Sequence, residues 1–451
     1  MTGERYRRAT RRISVLLPLL GLYLLVVLLF SSSTFQGDEG GYVENATRIL
    51  RGPAISSRDL RLWWGPGYSF VLLPFAALQL PWIAAKFLNA LFLFGAVTYF
   101  YALVRRYIPA TISLVITLCL GLYPPLMREV HRLNPENLTL FLTCGFMFHF
   151  CALYKGTEHF RPHLFAASAY LAYLALTKVF FGYVIVTALA VSLALLACQR
   201  MRGIRIATPA FLLALIWSVP YLLYTYSLTG RVFYWGTSGG MQLYWLSTPY
   251  DNEYGSWFSV KDVKERPELT RHRAFFSTLE TLTDLGRDDE LKRRAIYNIG
   301  HYPKKFLFNW ATNVGRLLFS YPFSFGPQTP STYFYLLPNM FIVVLFVLSM
   351  IYALLRPAAI PFELWALLGF VLVALCGTSL LSAYERQFRP FIPMLCMWMA
   401  FVYFRVLRIE LRPASEITGR ENQWNREGLR AGRNSEVSRR RHVHLSNGVH
   451  S

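Results

Sequence analysis

The sequence predicts an all-α polytopic membrane protein: about ten transmembrane helices, two juxtamembrane helices after the first span and one large mixed extracytoplasmic loop. Three observations predict it. Of 451 residues, 54% are apolar and only 16% are charged, too little polar surface for a soluble chain of this length. The apolar residues gather in repeated runs of about 20, the length that crosses a bilayer as a helix. Lys and Arg collect in the short hinges on one side of those runs, which fixes orientation. Lipid also forces backbone groups to pair within their own segment, and the alternating strands of an outer-membrane barrel are absent.

The basic segment 1–12 is expected to be cytoplasmic, and the apolar run 13–30 is the first span. That run is long for a signal-peptide core, and SSSTF after it is a poor cleavage site. An outer loop over 31–81 follows, with two short helices. In 42–51 the apolar Tyr42, Val43, Ala46, Ile49 and Leu50 recur at helical spacing, opposite Glu44, Asn45, Arg48 and Arg51. The stretch 66–78 is apolar but short, bounded by Gly65-Pro66-Gly67 and Pro81, and reads as an interfacial or re-entrant helix. Further spans are expected at 82–104, 109–127, 136–154, 163–177, 179–198, 204–226, 332–355, 360–383 and 390–408. Arg105-Arg106, Lys155, Arg161, Arg200, Arg202, Arg205, Arg356 and Arg405 then all lie on the side of the N-terminus. Counting 66–78 as a full span would put Arg105-Arg106 outside, so the charge pattern favours ten spans over eleven.

This divides the chain into a transmembrane catalytic module at 13–226, with outer loops 31–81 and 128–135, an extracytoplasmic cap at 227–331, and C-terminal spans at 332–408. The cap opens with an aromatic, turn-rich stretch and carries helices near 273–285, 288–299 and 303–319, the last two on the spacings Leu291/Ala295/Ile299 and Phe306/Trp310. The tail 409–451 is polar, basic and of disordered composition. The net charge of +21 sits at the ends and hinges, so it reports topology rather than nucleic-acid binding. All six cysteines lie within apolar stretches, and neither a disulfide framework nor a zinc spacing is present. No Walker loop, dinucleotide fingerprint, nucleophile elbow or His-Glu-x-x-His motif occurs.

Ionisable residues concentrate at the outer mouths of the spans, where they are candidates for function. Asp38 and Glu39 stand directly after the first span, where a carboxylate can take a proton from a hydroxyl or simply cap a helix. The second outer loop brings Arg128, Glu129, His131, Arg132 and Glu136 together; Glu136 follows Pro135 and is also placed to begin a helix. His131 lacks partners at metal-ligand spacing, and no metal is assigned. Lys178 is the lone charge in LALTKVFFGYVIV, at an outer turn; it either snorkels to the interface or holds a lipid phosphate. Lys86 has the same two readings. Arg386 and Arg389, in the last outer turn, suit bidentate phosphate contact or interfacial anchoring. Transporters place polar broken helices near the midplane, so charges at the mouths favour surface chemistry over passage.

In order, GDEGGYVENATRILRG, WWGPGYSFVLLPF, RRY, LNPENLTLFL, LTKVFFGY, TGRVFYWGTSGGMQLYWLSTP, NIGHYPKKFL and ERQFRPFIP resemble the GT-C membrane glycosyltransferases. The similar group is the aminoarabinose–lipid A and galacturonic acid transferases together with the protein O-mannosyltransferases. The resemblance implies an inverting transferase that moves a sugar from a polyprenyl-phosphate donor to a hydroxyl on a lipid, cell-envelope glycan or protein. It implies a bacterial inner or plasma membrane and an extracytoplasmic site, while the distribution of basic residues places both termini in the cytoplasm and argues against a nucleic-acid partner. Asp38 matches the catalytic acid position, with Glu39 and Glu136 positioning the acceptor or supporting Asp38. Lys178, Arg386 and Arg389 would neutralise the departing phosphate, with Arg132, His131, Lys86 and Tyr68 in support. No cofactor is implied, and the need for a divalent metal is left open. Gly65-Pro66-Gly67 replaces the usual double proline, and Gln387 stands where tyrosine is common. Alternatives from other classes are a polysaccharide polymerase, a lipid or solute transporter, and a non-catalytic scaffold.

Overall fold

The structure, a computed structural model, describes residues 14–52, 60, 62–156, 159–198, 203–322 and 330–407. The expected basic N-terminus 1–12, the tail 409–451 and the hinge arginines Arg200 and Arg202 lie outside the described residues. The chain divides into residues 1–406 and 407–451, and the architecture below is that of the first unit.

Among the described residues there are helices and no strands. The first nine α-helices are α1 (Leu17–Phe30), α2 (Glu39–Leu50), α3 (Pro66–Ala77), α4 (Trp82–Val104), α5 (Ala110–Gly121), α6 (Pro124–Met127), α7 (Glu136–Ala152), α8 (Phe160–Thr177) and α9 (Phe180–Ala197). They continue with α10 (Ile204–Thr229), α11 (Gly239–Leu246), α12 (Val260–Glu265), α13 (Thr270–Leu279), α14 (Asp284–His301) and α15 (Pro303–Phe319). The last are α16 (Tyr333–Leu355), α17 (Phe362–Ser379) and α18 (Ile392–Phe401). Five of them (α4, α9, α10, α16 and α17) are long and apolar enough to cross a membrane. The faces they leave uncovered are apolar: Phe334, Phe341, Val347 and Leu355 of α16 are all more than half exposed, an arrangement that only lipid makes favourable. The chain is thus an integral membrane protein.

Helices also occupy the other expected spans, but they are shorter or less apolar. The run 109–127 is broken at Leu122-Tyr123 into α5 and α6, because Pro124-Pro125 cannot continue the ladder of α5. The last span is α18 followed by a π-helical turn over Val402–Val406. α3 is a 12-residue helix, as the short apolar stretch 66–78 predicts.

α7 packs between α4 and α8, α8 against α10, and α9 against α10 and α17. α2 lies on α3, and α3 on α8. The face of α2 that meets α3 is set by spacing: Glu39, Tyr42, Val43 and Ala46 fall at i, i+3, i+4 and i+7 and are the buried residues. The contact between α3 and the end of α8 depends on glycine. A Cβ at Gly67 would come within 2.5 Å of Thr177 Oγ1, and one at Gly65 would strike the Leu176 carbonyl. Tyr173 Oη donates to the Gly67 carbonyl at 2.9 Å and seals the junction one residue from Lys178.

In the large loop the helix expected over 273–285 ends early. α13 stops at Leu279 and α14 starts at Asp284, capped by Thr283, whose hydroxyl accepts from Gly286 N at 3.2 Å. The short helices α11 and α12 are additional. α12 begins with a capping box between Ser259 and Asp262.

Candidate active site

Two backbone breaks and one turn bring the charged residues together. Asp38 is the N-cap of α2, Lys178 ends α8 in an extended conformation, and Arg386 lies in the 3₁₀ turn Glu385–Gln387. They line one cavity of about 460 Å³, with walls from Tyr42, Trp64, Trp257 and Tyr384. Arg386 Nη1 donates to Asp38 Oδ2 at 2.6 Å, a contact between residues 348 apart in sequence. Both side chains stay about one third exposed, 40% and 31%. Burial alone would lower the Arg386 guanidinium, but the Asp38 and Glu136 carboxylates outweigh it and hold it above its ordinary value. Burial, with Glu136 and Asp38 nearby, pushes the Tyr42 phenol up, so this wall residue keeps its hydroxyl proton.

Lys178 Nζ donates to Glu136 Oε1 at 3.0 Å. Glu136 is buried at the start of α7, behind the lysine rather than on the cavity wall, and its Oε2 has no hydrogen-bond partner. Arg389 is also set back. It is 4% exposed, stands 3.1 Å from both Glu129 and Glu385, and donates to Tyr335 Oη at 3.3 Å. Its Nη1 is close to Glu129 without a well-aligned hydrogen bond, so that contact is ionic. Burial would raise the Glu129 carboxyl, yet Arg389 and the amide of Asn134 hold it below the usual carboxylate range. The stability Glu129 contributes is full above its ordinary value near 4.5 and is lost as pH falls through the lower folded value.

Glu39 and Asp38 are adjacent but face opposite ways. Glu39 is 1% exposed and accepts backbone N–H groups at both oxygens, from Gln36 at 2.6 Å and from Leu133 at 2.6 Å. It ties the loop after α1 to the loop before α7. Lys86 does similar work by donating to the Ser32 carbonyl at 2.9 Å. Tyr68 donates to Asn89 Oδ1 at 3.1 Å, and Asn89 donates in turn to the Arg132 carbonyl at 2.5 Å. Arg132 reaches Gln36 at 3.4 Å. His131 packs against Phe30, and burial together with the Arg132 charge lowers its pKa, which leaves it neutral at pH 7. Among the described residues, no three His, Cys, Asp or Glu side chains are grouped to hold a metal ion. The roles of Glu39 and Asp38 should separate on substitution. Glu39→Gln puts an amide N–H against a backbone N–H and is expected to cost about 1–3 kcal/mol of stability, seen as a lower unfolding midpoint in detergent.

The turn that carries Arg386 is held from within and from behind. Gln387, the departure from tyrosine, accepts from Tyr384 N at 2.7 Å and closes the turn. Tyr384 Oη donates to the Trp257 carbonyl at 3.0 Å. Behind it, Arg316 of α15 is fully buried and donates to the carbonyls of Ala383, Tyr254 and Gly255 at 2.9 to 3.1 Å. Asn313, one turn earlier, donates to the Ser379 and Leu381 carbonyls and accepts from Ala383 N. The sequence reading passed over Arg316, Asn313, Lys292, Trp257 and Gln242. The signal available for the first two was the run Asn309, Asn313, Arg316 at i, i+4, i+7, a polar stripe on a helix whose apolar spacing drew attention instead.

No family model matches the chain, and no curated protein matches it. Among solved structures it is similar to ArnT from Cupriavidus metallidurans bound to undecaprenyl phosphate, a GT-C aminoarabinose transferase and so one of the group that the sequence motifs resemble. The two are 13% identical over 88% of this chain and 77% of that one, with a TM-score of 0.40.

Proposed function

We propose that the chain is an inverting membrane glycosyltransferase that moves a sugar from a polyprenyl-phosphate donor to a hydroxyl acceptor at the outer face of the membrane. The observation that carries this reading is the convergence of Asp38, Lys178 and Arg386 on one cavity at the ends of apolar helices. A carboxylate able to take a proton and two cations able to hold a phosphate are the groups this displacement needs. The donor's lipid tail lies in the bilayer, and its phosphate meets Lys178 and Arg386. Phosphate draws Arg386 away from Asp38 and so releases the carboxylate in the complex that needs it. The acceptor hydroxyl gives its proton to Asp38 and its oxygen attacks the anomeric carbon. The bond from that carbon to the phosphate oxygen breaks, and its electron pair leaves with the polyprenyl phosphate. Glu136 holds Lys178 in place, and Arg389 with Glu129 and Glu385 stiffens the turn behind Arg386. Gln242, Trp257, Lys292 and Ile296 of the large loop line one wall of the cavity.

Lys178→Met is expected to raise the KM for the donor about tenfold or more, with Lys178→Arg recovering part of the loss. Titration of purified protein with a synthetic polyprenyl-phosphate sugar checks this; an unchanged KM removes Lys178 from the phosphate site. The reading itself is tested by mass profiling of glycans and lipids in cells with and without the gene. Loss of one sugar increment on deletion, restored by the wild-type gene, supports transfer. Accumulation of an intact glycan or lipid on one side of the membrane would favour transport instead.

A further inference from the structure

The geometry points to a sugar without a cationic group, either neutral or acidic, as the unit transferred at this cavity. The inference rests on the transferase reading above and names its substrate class. Three cations, Lys178, Arg386 and Lys292, line the cavity, and Asp38 is the one carboxylate among its lining residues. The counter-ions of the two lysines do not face it. Glu136 is 6% exposed and Asp288 is 1% exposed, each behind its lysine.

Asp288 is fully engaged. It accepts from Gly240 N at 2.7 Å, from Tyr234 Oη at 2.7 Å and from Lys292 Nζ at 2.5 Å. A buried carboxylate so engaged fixes the Lys292 ammonium on the wall of the large loop, and an ammonium has three N–H donors, of which Asp288 takes one. In the donor complex the phosphate occupies Lys178 and Arg386 and Asp38 takes the proton of the acceptor hydroxyl, which leaves Lys292 as the charged group of the wall that is free to meet the sugar. A sugar held inside lies within about one screening length, ~8–10 Å, of the cations on the wall. An ammonium on that sugar would be repelled by the Lys292 ammonium. The pull of an aromatic face on a cation is weaker than this repulsion. The remaining wall suits uncharged hydroxyls and ring C–H groups, through Gln242, Ser238 and the indoles of Trp63, Trp64 and Trp257. A carboxylate on the sugar could accept from the Lys292 N–H groups that Asp288 leaves free.

The test uses the purified full chain in lipid nanodiscs, with an extract of the native cell envelope as the source of acceptor and three synthetic polyprenyl-phosphate donors bearing a neutral hexose, a hexuronic acid or an amino sugar. Release of polyprenyl phosphate is the readout. The neutral or acidic donor is expected to give a kcat/KM about tenfold or more above the amino-sugar donor. Lys292→Gln is expected to narrow that gap several-fold, whatever it does to the absolute rates. Equal or better use of the amino-sugar donor overturns the inference and leaves the transferase reading standing. A gap unchanged in Lys292→Gln overturns its electrostatic ground. Release from none of the three overturns the transferase reading, and this inference with it.

Discussion

Asp38→Asn is expected to lower sugar transfer by roughly 10²–10⁴-fold while the protein stays folded. Asparagine has nearly the shape of aspartate but cannot accept the proton of the attacking hydroxyl. The change also removes the 2.6 Å pair with Arg386. That pair is partly exposed, 40% and 31% for its two side chains, so its loss costs little stability. Arg386 is then no longer shared between a carboxylate and the incoming phosphate. The donor KM should therefore stay level or fall as the rate collapses. Steady-state kinetics with an unfolding midpoint for each variant check both halves. A rate within about tenfold of wild type would remove Asp38 from the role of base.

Arg316→Met should have the largest effect on stability, on the order of 3–5 kcal/mol. Arg316 is fully buried and no carboxylate is among its bonded partners; the backbone carbonyls of Tyr254, Gly255, Ala383 and Pro322 accept its protons, as do Asn313 and Ser256. Burial pulls its pKa down to about 10, so the guanidinium still carries its proton at pH 7. Met fills much of the volume but leaves those carbonyls without donors. Lys does not rescue the site, because one ammonium cannot reach acceptors spread over four segments. The turn from Tyr384 to Arg389 then loses its support, and the donor KM rises with the loss of stability. Thermal unfolding in detergent reads the first effect and donor titration the second. An unchanged midpoint would show that those carbonyls find other donors.

The long apolar runs made the helical membrane architecture legible, because crossing a bilayer dictates both composition and length. The short helix at 66–78 was legible for the same reason: its flanking Gly and Pro residues punctuate a run too short to span. Asp38, Lys178 and Arg386 stood out singly, as charges at the ends of apolar segments. Their meeting was not readable from spacing, since Asp38 and Arg386 are 348 residues apart. Glu39 shows a finer difficulty. Adjacent acids look alike in a sequence, but the helix that starts between them turns one inward to backbone N–H groups and the other outward to the cavity. The wall supplied by the large loop was hidden most. Lys292 depends on Asp288, an i, i+4 pair that reads as ordinary surface charge until α11 packs on it and buries the acid. The break between α13 and α14 was missed because apolar residues continue through it, and the Thr283 cap decides the boundary.

The reaction proposed for this cavity takes a sugar from a polyprenyl phosphate. It is tested most directly by giving membranes that contain the protein a polyprenyl-phosphate donor labelled in its sugar. That reaction requires the label to pass to an endogenous acceptor, with one polyprenyl phosphate released per sugar and with inversion at the labelled anomeric carbon. It also requires both signals to vanish in Asp38→Asn. Label that crosses the membrane still attached to its intact donor, equally well in wild type and Asp38→Asn, would contradict it.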